Sequence, residues 1–285
     1  MSRHLISFSA SLIPVAVVVG QFFGSTALAQ DRDVFLANVG GRIAIGSGSD
    51  VSPVNADLTA RVFGGIMIPN VPPFDPADYG GDDPGFFALP AGDAELPAGA
   101  SALPPNAAIT INSLSFTVGS GSDTLFFWNG TGSVGFQPIS IAQPGVTLSL
   151  DPNPIDSTGA NGGADIHPLY TLDNGGTGAP ADGVYLLSET ASLAGLADSE
   201  RYFRIWLSDA LIVDEDAAEE LEEALAMGQT VVLGKDFSFF PEAAAFVHDN
   251  LVVPEPNSLI LAGLACVAFS AVTVPRRSRK TGAEQ

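Results

Sequence analysis

Ala108-Ile109-Thr110-Ile111-Asn112-Ser113-Leu114-Ser115-Phe116-Thr117-Val118 carries the plainest strand signal in the chain. In parts of it branched and aromatic residues recur at every second position, the period of a strand with one buried face. Gly119-Ser120-Gly121-Ser122 then supplies a turn, Thr124 to Trp128 a second strand, and Asn129-Gly130 a tight-turn pair. Ser133 to Ile141 and Val146 to Leu150 continue the series, and Gly183 to Ser188, Arg201 to Ser208 and Thr230 to Leu233 extend it. Many short strands with Gly, Asn and Pro turns predict an all-β body, a β-sandwich, jelly-roll-like fold or partly open barrel. No repeat stands at a fixed period.

Outward from these strands, one helix is expected over Asp214 to Met227. Asp214, Glu215 and Asp216 suit a helix N-terminus. Ala217, Leu221, Ala224 and Leu225 make one apolar stripe, and Gly228 is placed as a C-terminal stop. Glu219, Glu220, Glu222 and Glu223 form its solvated face. A second short helix is expected from Pro241 through Val247, because proline suits a first helical turn. Between Pro69 and Pro105 lie nine prolines. This reads as a long irregular excursion in which Phe74, Phe86 and Phe87 tuck against the sheet.

The two ends of the 285-residue chain read differently from its middle. Arg3 and His4, an apolar run from Leu5 to Gly20, and Ala27-Leu28-Ala29 have the order of a secretory signal peptide, with cleavage predicted between Ala29 and Gln30. At the other end, Val253-Pro254-Glu255-Pro256 precedes an uncharged run from Ser258 to Val274, then Arg276, Arg277, Arg279 and Lys280. Seventeen helical residues would rise about 26 Å, within the range of a membrane span, and the basic cluster favours the cytoplasmic side. The reading divides the chain into a signal peptide (1–29), an acidic secreted body (30–252) and a C-terminal segment (253–280).

Composition narrows the function of the body. It holds six basic residues, Arg32, Arg42, Arg61, Arg201, Arg204 and Lys235, against 30 acidic ones, with no Lys or Arg from Val62 to Glu200. Such a surface repels phosphate backbones, so no nucleic-acid partner is expected. It also has the charge to collect divalent cations. Cys266, the single cysteine, lies in the C-terminal apolar run, which excludes an intrachain disulfide and a cysteine zinc cluster. No Gly-x-Ser-x-Gly elbow, Walker A loop or dinucleotide glycine fingerprint occurs. Asp151-Pro152-Asn153-Pro154-Ile155-Asp156 has acid spacing loosely like a calcium loop, without its central glycine or terminal Glu.

Only His167 and His248 remain after the predicted signal cleavage. In an extended segment Asp165 and His167 share one face, with Tyr170 nearby. They are the weak candidates for a metal site. Two ligands do not complete one, so at least one distant ligand is required, and His248-Asp249 could contribute. No catalytic residues are assigned and no resident cofactor is expected beyond such a divalent ion.

Pro254-Glu255-Pro256, a short apolar span and an Arg-rich end, in that order, resemble the PEP-CTERM sorting domain of Gram-negative bacteria. The resemblance covers Val253 to Arg279. It implies export, cleavage by signal peptidase, a transient inner-membrane anchor, and recognition at Pro-Glu-Pro by an exosortase, with the basic cluster as stop signal. It further implies delivery to the cell surface or extracellular matrix, in contact with polysaccharide, as a non-enzymatic binding or structural module. The alternative is a secreted hydrolase or metal-dependent binding protein. The body more loosely resembles surface proteins that carry this same C-terminal signal. The echo lies in Asp33-Val34, Arg61-Val62-Phe63-Gly64, Asp83-Pro84-Gly85-Phe86, Phe127-Trp128-Asn129-Gly130, Ile166-His167-Pro168-Leu169 and Pro180 to Leu187. Where members carry paired histidines before the Gly-Val-Tyr strand, this chain has His167 alone.

Overall fold

The computed structural model describes residues 33–69, 79–176 and 178–252. The N-terminal signal, the Pro-Glu-Pro motif, the apolar run and the basic cluster lie outside the described residues, as does Phe74. Among the described residues no helix is long and apolar enough to cross a membrane.

The body is mainly β, as the strand signals predict. Its first strands are β1 (Asp33–Val39), β2 (Arg42–Gly48), β3 (Val62–Pro69), β4 (Tyr79–Gly81), β5 (Phe86–Ala88) and β6 (Ala100–Ser101). Next come β7 (Ala108–Leu114), β8 (Phe116–Val118), β9 (Gly121–Asp123), β10 (Leu125–Trp128), β11 (Gln137–Pro138) and a helical turn α1 (Ile139–Ala142). Then follow β12 (Thr147–Asp151), β13 (Asp156–Ser157), β14 (Ala164–Ile166), β15 (Leu169–Asp173), β16 (Gly183–Leu193) and β17 (Tyr202–Ser208). Helix α2 (Glu215–Ala226), the short pair β18 (Val231–Val232) and β19 (Lys235–Asp236), and helix α3 (Phe239–Leu251) complete it.

A five-stranded sheet runs β14-β5-β1-β2, with β6 on the far end of β1. A ten-stranded sheet runs β11-β10-β16-β17-β3-β4-β15-β12, with β7 pairing the second half of β16 and β13 pairing β7. Strand alternation then sorts the side chains into layers. Tyr202 and Trp206 of β17, Tyr185 and Leu187 of β16, and Phe63 and Met67 of β3 meet Val34, Leu36, Ile43 and Ile45 of the small sheet in one core. The opposite residues, Phe203, Ile205 and Leu207 with Val184 and Leu186, meet Leu221 and Leu225 of α2 and Phe240 and Val247 of α3 in a second core. The outer face of the small sheet, Phe35, Ala37 and Phe87, is covered by Val54, Leu58 and Leu96.

Several expectations change in detail. Ala108 to Val118 is two strands broken at Ser115, because β7 joins the large sheet while β8 folds back on β9. Ser133 to Ile141 is not a strand: Pro138 ends a two-residue edge strand and one helical turn follows. Asn129-Gly130 does not close a two-residue hairpin, since β10 pairs β11 across the longer 129–136 loop. There Asn129 Oδ1 accepts from the Thr131 N–H and hydroxyl. Among the described residues there are three helices, and α3 begins at Phe239, two residues before Pro241, and runs to Leu251. Helix α2 matches its expected place. Asp214 caps it by accepting from the Ala217 N–H at 3.0 Å, and Gly228 leaves it at φ +76°. Phe86 and Phe87 are buried as expected.

Candidate metal centre

Strand register assembles a polar cluster from distant parts of the chain. In the small sheet Val34, Phe86 and Ile166 are neighbours across β1, β5 and β14. One step towards the same end places Asp33, Gly85 and His167 beside one another, and the turn before Gly85 brings in Asp83. Asp33, Asp83 and His167 each offer a ligand atom, and these atoms all lie within 4.8 Å of one another. His167 Nδ1 is 3.7 Å from Asp83 Oδ1, and His167 Nε2 is 3.6 Å from Asp165 Oδ1. Asp165 and His167 thus lie side by side as expected, and the distant carboxylates brought next to His167 are Asp33 and Asp83. Tyr170 does not join them; its hydroxyl donates to Glu189 at 3.0 Å in the core. His248 is an exposed residue of α3, 3.1 Å from Asp249, outside the cluster.

Backbone contacts hold the cluster in shape. The Gly85 N–H donates to Asp33 Oδ1 at 2.7 Å, and the Val34 N–H donates to the Gly85 carbonyl at 3.0 Å. A Cβ at position 85 would come within 2.8 Å of His167 Nδ1 and of the Ile166 carbonyl, so only glycine lets the imidazole lie against this turn. From beneath, the buried Arg204 donates from Nη1 to the Pro84 carbonyl at 2.6 Å. Arg204 therefore ties the turn carrying Asp83 to the large sheet. Three segments of the looser resemblance, around Asp33, Asp83 and His167, converge at this one place. The 151–156 segment behaves otherwise: Asn153 donates to the Ile111 carbonyl and accepts from its N–H, a strand-to-strand brace.

The electrostatics are those of a site short of positive charge. Asp33 is only 8% exposed, and burial, followed by the neighbouring charge of Asp83, pushes its carboxyl up to about 6. Burial also raises Asp83, against the lowering influence of His167. A cleft of about 480 Å³ adjoins the cluster, lined by Ile66, Gly80, Asp82, Asp83 and His167 and by Glu215 and Glu219 of α2. Among the described residues no Lys or Arg lines it.

The raised Asp33 carboxyl has a consequence for stability. A carboxyl that holds its proton more tightly folded than unfolded imposes no cost in acid and its full cost above its folded value. Stability therefore falls as pH rises from about 4 to about 6, by roughly 3 kcal/mol for this group. In chelator, Asp33→Asn keeps the acceptor for Gly85 and removes the cost. Urea unfolding of the two proteins is expected to show the variant gaining on the parent across that interval. Parallel pH profiles would refute the assignment.

Compared with protein-family models, with curated proteins and with solved structures, the chain matches none.

Proposed function

We propose that this chain is an exported surface or extracellular-matrix protein whose body is a non-catalytic binding or structural module. In this reading the two sheets around their shared core are a β-sandwich of jelly-roll-like character, displayed outside the cell. Signal peptidase removes residues 1–29, and an exosortase-type enzyme acts at Val253-Pro254-Glu255-Pro256 after the apolar run and the basic cluster have paused the chain in the inner membrane. The observation that carries the reading is the order of the sequence: Ala27-Leu28-Ala29 stands before the acidic body, and Val253-Pro254-Glu255-Pro256, the uncharged run from Ser258 to Val274 and the cluster Arg276, Arg277, Arg279 and Lys280 stand after it. The acidic surface suits a hydrated matrix and directs the body towards neutral, cationic or cation-bridged polysaccharide.

The test is the intact mass of the protein isolated by compartment. The expected species starts at Gln30, ends near Pro254 to Pro256 and lies outside the inner membrane. A species running to Gln285 in the inner membrane would replace this reading with a tail-anchored protein. The Asp33–Asp83–His167 cluster favours a second reading, a metal-dependent binding protein or hydrolase, in which the same body works through a bound ion.

A further inference from the structure

We propose that Asp33, Asp83 and His167 bind one first-row divalent cation, with Asp165 as the positioning carboxylate that orients His167. The inference is independent of export, since it concerns only the described body. A tetrahedral site with bonds of about 2.0–2.1 Å separates its ligand atoms by about 3.4 Å, close to the 3.7 Å between Asp83 Oδ1 and His167 Nδ1. Sub-ångström side-chain movements close the difference. The imidazole lies between two carboxylates, and both separations exceed hydrogen-bond reach. Among the described residues neither ring nitrogen has a hydrogen-bond partner. With Nε2–H turned to Asp165, the Nδ1 lone pair faces Asp33 and Asp83, the carboxylate–histidine–metal arrangement that fixes tautomer and ring direction.

Asp33 supplies the second, independent observation. It is nine-tenths buried and directed into the cluster. One of its oxygens accepts from Gly85; the other has no hydrogen-bond partner among the described residues. Arg204, beneath the turn that carries Asp83, is committed to Pro84 and Glu189. A buried carboxylate without a cation is costly, and a bound ion removes that cost. An imidazole with two carboxylates suits Zn²⁺ and its first-row neighbours, whereas Ca²⁺ takes six to eight oxygens. Three protein ligands leave a position for water or a ligand donor. Asp83 and His167 also line the acidic cleft, which concentrates cations beside them.

The experiment uses the full chain, stripped with chelator and titrated calorimetrically with Zn²⁺, with Ca²⁺ as competitor. One equivalent of Zn²⁺ is expected, undisplaced by equimolar Ca²⁺. His167→Ala, at an exposed side chain away from the cores, and Asp83→Asn are expected to lose stoichiometric binding. Glu220→Gln, which removes an exposed charge of α2 outside the cleft lining, is expected to bind as the parent. Asp165→Asn is expected to weaken binding about 10-fold and to shift the visible spectrum of the Co²⁺-loaded protein, with the melting of the metal-stripped protein unchanged. Absence of stoichiometric Zn²⁺ binding, parental binding by His167→Ala, or equal losses in Glu220→Gln and Asp83→Asn would overturn the site. A parental affinity and Co²⁺ spectrum in Asp165→Asn would overturn the positioning role.

Discussion

Glu189→Gln is expected to destabilise the protein by about 3–5 kcal/mol at every pH between 5 and 7.5, the cost of stranding a buried charge. Arg204 is fully buried in the core between the sheets. Its Nε lies 3.5 Å from Glu189 Oε2, and its guanidinium packs 4.6 Å from the Tyr170 ring centre and 4.9 Å from that of Phe86. Replacing Glu189 leaves a cation that cannot shed its proton. Arg204→Met strands the opposite charge and behaves differently. Burial already raises the Glu189 carboxyl and Arg204 lowers it, so without Arg204 it rises further. A raised carboxyl costs nothing below its unfolded value, and the cost grows with pH until it is full above the folded one. The Arg204→Met penalty is therefore larger near pH 7.5 and shrinks as pH falls towards 5, whereas the Glu189→Gln penalty does not. Thermal unfolding at the two pH values separates them, and equal pH slopes in both variants would contradict the pair as described. Arg204→Met also removes the donor to Pro84, so it is expected to disturb the cation site from beneath.

Trp206→Ala is expected to cost a similar 3–5 kcal/mol, the range for deleting a fully buried aromatic ring. The indole is inaccessible to solvent and lies 5.0 Å, centre to centre, from the Tyr170 ring. It also explains two glycines. A Cβ at Gly65 would stand 2.5 Å from the indole edge, and one at Gly81 2.8 Å from it. The ring fills the space that two side chains would otherwise occupy on adjacent strands, so its removal opens a cavity bordered by two glycines that have no side chain to fill it. Val231→Ala, on an exposed residue, should stay within about 0.5 kcal/mol. Against a typical total of 5–15 kcal/mol, the Trp206 variant is expected to melt well below the parent, and a shift no larger than that of Val231→Ala would exclude this packing role.

Half-buried elements were legible because each carries its burial in its own period. Strand β12, exposed at every second residue, and helix α2, with its Asp214 cap and Leu221–Leu225 stripe, needed no neighbours to be recognised. Strand β17 reads Tyr-Phe-Arg-Ile-Trp-Leu-Ser and is buried at every position, so periodicity marks a strand but cannot say which face meets which core. The β1–β2 hairpin is also buried along most of its length. It lacks alternation for the same reason, and only the Gly40-Gly41 turn, with positive φ at both residues, announces it.

The candidate site divides along the same line. Sequence alone determined that Asp165 and His167 share a face, because an extended chain repeats every two residues. It also determined that the body is acidic, and it set the expectation that any metal site there needs a distant ligand. Only the tertiary structure decided that Asp33 and Asp83 are the carboxylates brought beside His167. Their place follows from the parallel register of β1 with β5 and the antiparallel register of β14 with β5, and from Arg204 fastening Pro84 from the other sheet. Pairing between strands 50 to 130 residues apart is set by how whole layers bury their faces, a property of the assembled fold that no local stretch of sequence encodes.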